Sequence, residues 1–427
     1  MQVNKPLTLR RNFSWTFIGN AVYAACQWGM LVLLAKLGSP EMVGQFTLGL
    51  AVTAPVIMFT NLQLRVVQAT DAKKQYIFSD YLGLRLIGSG LALVIIATIT
   101  LLAGYQWETS VVILLVGLAK AFEAISDVFY GLLQQHERMD RIALSLMIKG
   151  PLSLLLLGIG VYISGNIVWG VVGLVCAWAI VLLTYDIRNG ALILNQVSQV
   201  QPRWHLATLA KLVPLALPLG LVMMLISLNT NIPRYFIEHY LGENRLGIFA
   251  AISYLMVAEQ MIVSALADSA VPRLAKYYAN QNSAAFRMLL FKLGAVNALI
   301  GGAGVVVALV AGKEVLTLLY RPEYAQYTEV FTLLMIGAAI NYTFACLGYG
   351  RTAARYFLIQ VPLSFLVTSS STLACFWLIP NQGLRGAAIA LIIAAIVEAG
   401  SNLCVLLHAF KRISPPFNKK DKNYEGK

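Results

Sequence analysis

The stretch that decides the fold reads SVVILLVGLAKAFEAISDVFYGLL, from Ser110 to Leu133. As a helix it is long enough to cross a bilayer, because about 20 residues at 1.5 Å rise span a hydrocarbon core roughly 30 Å thick. Its charged residues, Lys120, Glu123 and Asp127, are spaced three and four apart. That spacing gathers them on one helix face, and Tyr130 continues the stripe. Charges in a span are costly and face the protein interior or a wet cavity. The stripe reads as a cavity lining that includes a proton-linked carboxylate. The competing reading is a structural pair in which Lys120 neutralises Glu123 or Asp127.

Working outward, similar apolar runs fill the chain. Spans are expected near 13–36, 43–66, 81–104, 110–133, 143–164, 166–187, 207–230, 246–270, 286–310, 326–348, 355–379 and 384–408. Hydrophobic residues make up 59% of the 427 residues and charged residues 12%, and the mean hydropathy is +0.72. The expectation is an all-α polytopic membrane protein with about 12 transmembrane helices. The runs are too long and continuous for a transmembrane β-barrel. The connections leave no room for a soluble domain of ordinary size. The first run holds Asn20 and Gln27 behind a basic start, which makes it too long and too polar for a cleaved signal segment.

A net charge of +13 raises nucleic acid as a partner. The loops argue otherwise, since basic residues collect in cytoplasmic loops of membrane proteins. With the spans above, 23 Lys and Arg fall on one side and 6 on the other. The rich side holds Arg10, Arg138, Arg188, Arg203, Arg287 and Lys411, and the poor side Lys36, Arg245 and Lys313. This places both termini in the cytoplasm and predicts no nucleic-acid partner. The longest break, polar and cytoplasmic, divides the chain into an N-terminal six-helix lobe (1–188), a linker (189–206), a C-terminal six-helix lobe (207–410) and a basic cytoplasmic tail (411–427) available to anionic lipid heads. Internal similarity supports the halves. Leu37-Gly38 followed by Val43-Gly44-Gln45-Phe46 recurs as Leu241-Gly242 followed by Leu246-Gly247-Ile248-Phe249. The glycines suit tight turns between antiparallel helices.

Cys26, Cys176, Cys346, Cys375 and Cys404 all lie in apolar runs without a CxxC or Cys/His cluster, so neither disulfide nor metal is predicted. No catalytic group is predicted either. The polar groups within spans carry the functional reading. Lys149 stands before Gly150-Pro151 and favours a cavity role. Arg85 and Arg65 lie close enough to the cytoplasmic face to serve equally as snorkelling anchors or cavity cations. Together with Lys120 they make the interior of the first half cationic, suited to a diphosphate. Glu259 and Asp268, nine residues apart, point to opposite faces of one span. Glu398, Ser401 and Asn402 share a face, as do Asn20, Tyr23 and Gln27, and Asn341 neighbours Tyr342. Such amide stripes serve as interhelical glue or as glycan contacts. The acids Glu123, Asp127, Glu259, Asp268 and Glu398 are the ion-coupling or cavity candidates. Asn20, Tyr23, Gln27, Tyr130, Asn341 and Asn402 are the glycan-contact candidates.

Taken together, the sequence resembles the Wzx-type polysaccharide flippases of the multidrug/oligosaccharidyl-lipid/polysaccharide exporter superfamily. Asn12-Phe13-Ser14-Trp15 through Leu37-Gly38, then Gly44-Gln45-Phe46, is similar to the family's first hairpin. Asn231-Ile232-Pro233-Arg234-Tyr235-Phe236-Ile237 through Phe249 is similar to its connection between spans 7 and 8, and Gly131-Leu132-Leu133-Gln134-Gln135 to the turn after span 4. The resemblance implies a flippase of the bacterial inner membrane that moves undecaprenyl-diphosphate-linked glycans outward. It also implies two lobes around a cationic cavity, alternating access, and proton or cation coupling in some members. Arg65, Lys120, Lys149 and Arg234 become candidates for the family's cationic contacts. The implied partners are the lipid-linked glycan, membrane lipids, and a polysaccharide polymerase with chain-length machinery; no cofactor is implied. A multidrug or small-solute exporter of related fold is the alternative, and an aromatic, acidic cavity would favour it. A glycan polymerase or ligase is disfavoured, because the outer connections 232–245 and 311–324 carry no dense acid/base cluster.

Overall fold

A computed structural model of the protein describes residues 7–71, 75–194, 200–354 and 359–413. Among them the chain is helical and contains no strand, as an apolar chain that must satisfy its own backbone in lipid requires. It divides into two compact units, Met1–Ala251 and Ile252–Lys427.

The first unit holds α1 (Leu9–Leu37), α2 (Pro40–Thr60), a short α3 (Leu64–Thr70), α4 (Phe78–Ala103), α5 (Trp107–Gln135), α6 (Met139–Ser164), α7 (Ile167–Val181) and α8 (Ile187–Leu194), and most of α9 (Leu206–Tyr254). Local chemistry sets the boundaries. Ser39 caps α2 by accepting from the Met42 N–H, with Pro40 at the first helical position. Gly104 and Gly165 end α4 and α6 in the left-handed region, at φ +69° and +64°. Asn166 then caps α7 through a 2.7 Å bond from Val168 N–H. Between α7 and α8, Leu182–Asp186 forms a π-helical turn. The core centres on α5, which packs against α2, α4 and α7, while α1 lies along α6. Phe78, Tyr81, Phe129, Leu132 and Leu212 belong to one buried cluster of this core.

The recurring glycine motif has a structural meaning within this unit. A Cβ on Gly44 would strike the Glu243 carbonyl, and a Cβ on Gly247 would strike the Pro40 carbonyl. The two copies therefore meet at backbone contact, and within the second copy Gly242 breaks the helix at φ +81°.

The second unit holds α10 (Met256–Ala279), α11 (Ser283–Leu319), a 3-10 turn at Pro322–Tyr327, α12 (Thr328–Ala353) and α13 (Gln360–Ile413). Here α12 is central, packed against α10, α11 and α13.

Nine helical stretches among the described residues are long and apolar enough to cross a membrane. Two of them, Leu206–Ala279 and Gln360–His408, far exceed one crossing and break at Gly242 and Gly383, both at positive φ. Three connections expected from the sequence are shorter than anticipated. Helix α9 continues through 232–241, because Asn231, Arg234, Tyr235 and Glu238 form a polar helix face where the sequence suggested a loop. Similarly, α11 runs to Leu319, through a distortion at Ala311. The 189–206 linker is helical as far as Leu194. Residues 195–199 of the linker and 414–427 of the basic tail lie outside the described residues, as do Lys73 and Lys74.

Candidate functional site

The charged stripe of α5 gathers partners from five neighbouring elements. Gly131 is what lets α3 approach, since a Cβ there would meet Gln68 Oε1 and Arg65 Cα. Arg65 then donates from Nε to Gln134 Oε1 at 3.0 Å and pairs with Asp127 at 3.3 Å, its guanidinium 5.6 Å from the Tyr130 ring centre. From α4, Arg85 pairs with the other Asp127 oxygen at 3.3 Å and donates to Asn61 Oδ1. Two guanidinium groups thus share one carboxylate. Arg85 is fully buried, which removes the snorkelling alternative; Arg65 and Asp127 remain about a third exposed, at 31% and 29%.

One turn along, Lys120 pairs with Glu123 at 2.8 Å and lies 5.0 Å from the Trp178 ring centre. The Tyr23 hydroxyl donates to the second Glu123 oxygen at 2.8 Å. Lys120 and Glu123 thus form an ion pair whose side chains both stay about a quarter exposed. Lys149 departs further from expectation. It is 1% exposed, donates to Ser126 Oγ at 3.0 Å and Tyr130 Oη at 3.1 Å, and faces Asp186 at 3.7 Å. Ser145 donates to Asp186 at 2.6 Å and shares a 2.7 Å bond with Tyr130. In this conformation Lys149 sits between α5, α6 and the π-helical turn and does not face an open cavity. Tyr130 is buried in the same network. The sequence reading missed Asp186, because Tyr185-Asp186-Ile187-Arg188 looks like the polar end of a span. The π-helical turn carries it inward.

The other candidates are dispersed. Asn20 is exposed on α1, and Gln27 has a buried Nε2 without a partner. Arg234 on α9 donates to Asn231 Oδ1 at 2.9 Å. In the second unit Asn402 is buried and Asn341 half-buried, while Glu398 is exposed and interacts electrostatically with Arg351. Glu259 is half-buried on α10 with one unpartnered carboxylate oxygen. The side chain of Asp268 lies outside the described residues.

The first unit also lines an open cavity of about 990 Å³, and it is not cationic. Glu41, Glu238, Glu243, His239, Tyr105 and Tyr235 form its polar part, and Val52, Phe59, Ile95 and Leu228 belong to its apolar wall. No Lys or Arg is among its lining residues, and none of the predicted cationic residues reaches it. Burial, with Glu238 and Glu243 nearby, pushes the Tyr105 phenol up to about 12. Glu243 accepts from Thr109, which Gln45 also contacts at 3.4 Å.

Comparison with known proteins bears on what these arrangements do. A family model described as polysaccharide biosynthesis protein matches residues 9–278. The capsular polysaccharide biosynthesis protein CapF of Staphylococcus aureus is 28% identical over 409 residues, covering 94% of this chain and 99% of CapF. Among solved structures, the lipid II flippase MurJ in an inward closed conformation aligns with TM-score 0.73 at 13% identity, over 93% of this chain and 89% of MurJ. An inward-facing multidrug resistance MATE transporter aligns with TM-score 0.64 at 14% identity, over 93% and 98%. These likenesses show the fold, a multi-pass helical architecture shared with both solved structures.

Proposed function

The chain belongs to the polysaccharide biosynthesis protein family, and from that premise we propose that it is a flippase for a lipid-linked polysaccharide unit. The substrate is an undecaprenyl-diphosphate-linked oligosaccharide, moved from the inner to the outer leaflet of the bacterial plasma membrane. The proposal includes twelve spans, cytoplasmic termini, two six-helix lobes and alternating access. It includes transport without catalysis, and handover of the product to a polymerase with chain-length machinery.

One observation carries the substrate reading: Arg65 and Arg85 share the single carboxylate of Asp127. The pair exceeds its counter-charge by one, and Arg65 is the member exposed enough to meet a ligand. A diphosphate can take Arg65 in a bidentate grip while Asp127 keeps the buried Arg85 neutralised. The lipid tail stays in the bilayer, since moving it into water costs about 0.8 kcal/mol per CH₂.

The test is surface glycan in cells carrying Arg65→Ala or Arg65→Lys at equal membrane abundance. Loss in the alanine variant with partial retention in the lysine variant is expected, because lysine keeps the charge but not the fork. Normal export by Arg65→Ala would sink this assignment. The acidic, aromatic cavity favours a second reading, export of a cationic drug or solute. That reading predicts raised drug sensitivity with unchanged surface glycan when the gene is deleted; the flippase reading predicts the reverse.

A further inference from the structure

The open cavity of the first unit sorts its lining along three helices. On α2, Glu41 stands in the first turn and Phe59 in the last. On α4, Ile95 and Ile99 come first, and Tyr105 and Gln106 follow the helix end. On α9, Met224 and Leu228 precede Glu238 and Glu243. Close contacts fix how these helices align. A Cβ on Gly44 of α2 would meet the Glu243 carbonyl, whereas at the other end of α2 a Cβ on Gly220 would meet the Phe59 carbonyl and one on Gly88 the Thr60 carbonyl. Helix α2 therefore runs opposite to α4 and α9, and the polar residues of all three collect at one end of the cavity while the apolar ones collect at the other. Along α9, Met224 and Glu238 are separated by about 21 Å of helix rise.

The polar end is acidic. Glu238 interacts electrostatically with Glu243, and Glu243 with Glu41 and Glu108. Arg234 and Arg245, close by in sequence, are not among the lining residues. Beside the acids stand neutral groups that can donate hydrogen bonds: Tyr105, Gln106, His239 and Asn244. Such a wall repels a diphosphate or a lipid of net negative head, and it attracts an ammonium. Carboxylates take charge-assisted bonds from an ammonium N–H, which a choline head lacks, and the neutral donors can meet a single phosphate next to it. The apolar end suits a hydrocarbon chain. This place is separate from the arginine pair on Asp127, since Arg85 and the cavity-lining Ala103 lie about 27 Å apart along α4.

We propose that this cavity binds one phospholipid with a primary-amine head, phosphatidylethanolamine, taken from the leaflet that the distribution of basic residues places outside the cell. Its ammonium donates to Glu238 and Glu41, its phosphate accepts from the neutral donors, and one acyl chain lies along Phe59, Ile95 and Leu228. The bound lipid fastens α9 to α2 and α4. No part of this uses the diphosphate or the glycan, so the site stands apart from the flippase reading.

The experiment is a lipid competition on the purified full chain. Native mass spectrometry counts the lipids retained from an equal mixture of phosphatidylethanolamine, phosphatidylcholine and phosphatidylglycerol with identical acyl chains. One phosphatidylethanolamine should be retained about tenfold over either competitor, the scale of losing a charge-assisted hydrogen bond. The preference should vanish in the near-isosteric double variant Glu41→Gln with Glu238→Gln and persist in Glu314→Gln, an exposed acid of the second unit. An arm that needs no variant replaces phosphatidylethanolamine with its N-acetylated form, which has lost the ammonium, and should abolish the preference on the wild type. Equal retention of the three lipids by the wild type would overturn the proposal, as would a preference that survives the double variant or N-acetylation. Dodecylamine supplies the same head chemistry from a soluble source. If it binds in a Glu238-dependent way while phosphatidylethanolamine shows no preference, the occupant is a cationic solute and the lipid assignment fails.

Discussion

The Lys149–Asp186 pair is the most demanding feature at the level of single residues. Both side chains are essentially removed from solvent; the two charges face each other at 3.7 Å, Lys149 donates to Ser126 and Tyr130, and Ser145 donates to Asp186. Removing one partner strands the other's charge, which typically costs about 3–5 kcal/mol, whereas replacing both with well-packed apolar groups is close to neutral. Lys149→Met and Asp186→Leu should each lower the melting temperature of purified protein strongly, and the double variant should recover most of the loss. Additive losses would show that the two side chains are energetically independent. The same variants separate fold from transport: a double variant that is stable but inactive would give Lys149 a transport role in another conformation.

Between elements, close approach depends on glycine at a few defined places. Gly44 and Gly247 lie where two hairpins cross with backbone against backbone, so any side chain must force them apart. Gly90 of α4 has nothing within 4 Å of its would-be Cβ and ordinary helical geometry. Gly247→Ala is expected to destabilise by about 1–3 kcal/mol through overpacking. Gly90→Ala should be neutral or stabilising by about 0.5–1 kcal/mol, because alanine loses less chain entropy in a helix. Thermal unfolding of the two variants side by side checks this. Equal melting temperatures would mean that the hairpin crossing is looser than these backbone contacts imply.

For the whole molecule, the distribution of basic residues carries the proposal that both ends of the chain lie inside the cell, with the helix breaks at Gly242 and Gly383 separating passes. A cysteine at Gly242 should react with an impermeant thiol reagent from outside intact cells, and one at Ser198 only after permeabilisation. Labelling of position 242 from the cytoplasmic side alone would invalidate the topology, and with it the direction of transport.

That this is a polytopic helical membrane protein, and that α5 carries a polar face, is legible in the order of residues alone. Both follow from local rules: the length of apolar runs against bilayer thickness, and the 3.6-residue period that aligns Lys120, Glu123 and Asp127. It also marked Gly44 and Gly247 through a repeated pattern, without revealing that the two copies meet. Which charge answers which emerges from the packing of helices distant in sequence. Arg65, Arg85 and Asp127 come from three helices, and the 3.3 Å pairing of Arg65 depends on how closely Gly131 lets α3 approach. Asp186 became Lys149's partner through a π-helical turn that no residue pattern announced. Continuous helix through 232–241 was likewise hidden, because a polar helix face lining a cavity has the composition of a loop. Spacing along one helix is fixed by covalent geometry, but pairing between helices is fixed by packing, and packing is a property of the assembled chain.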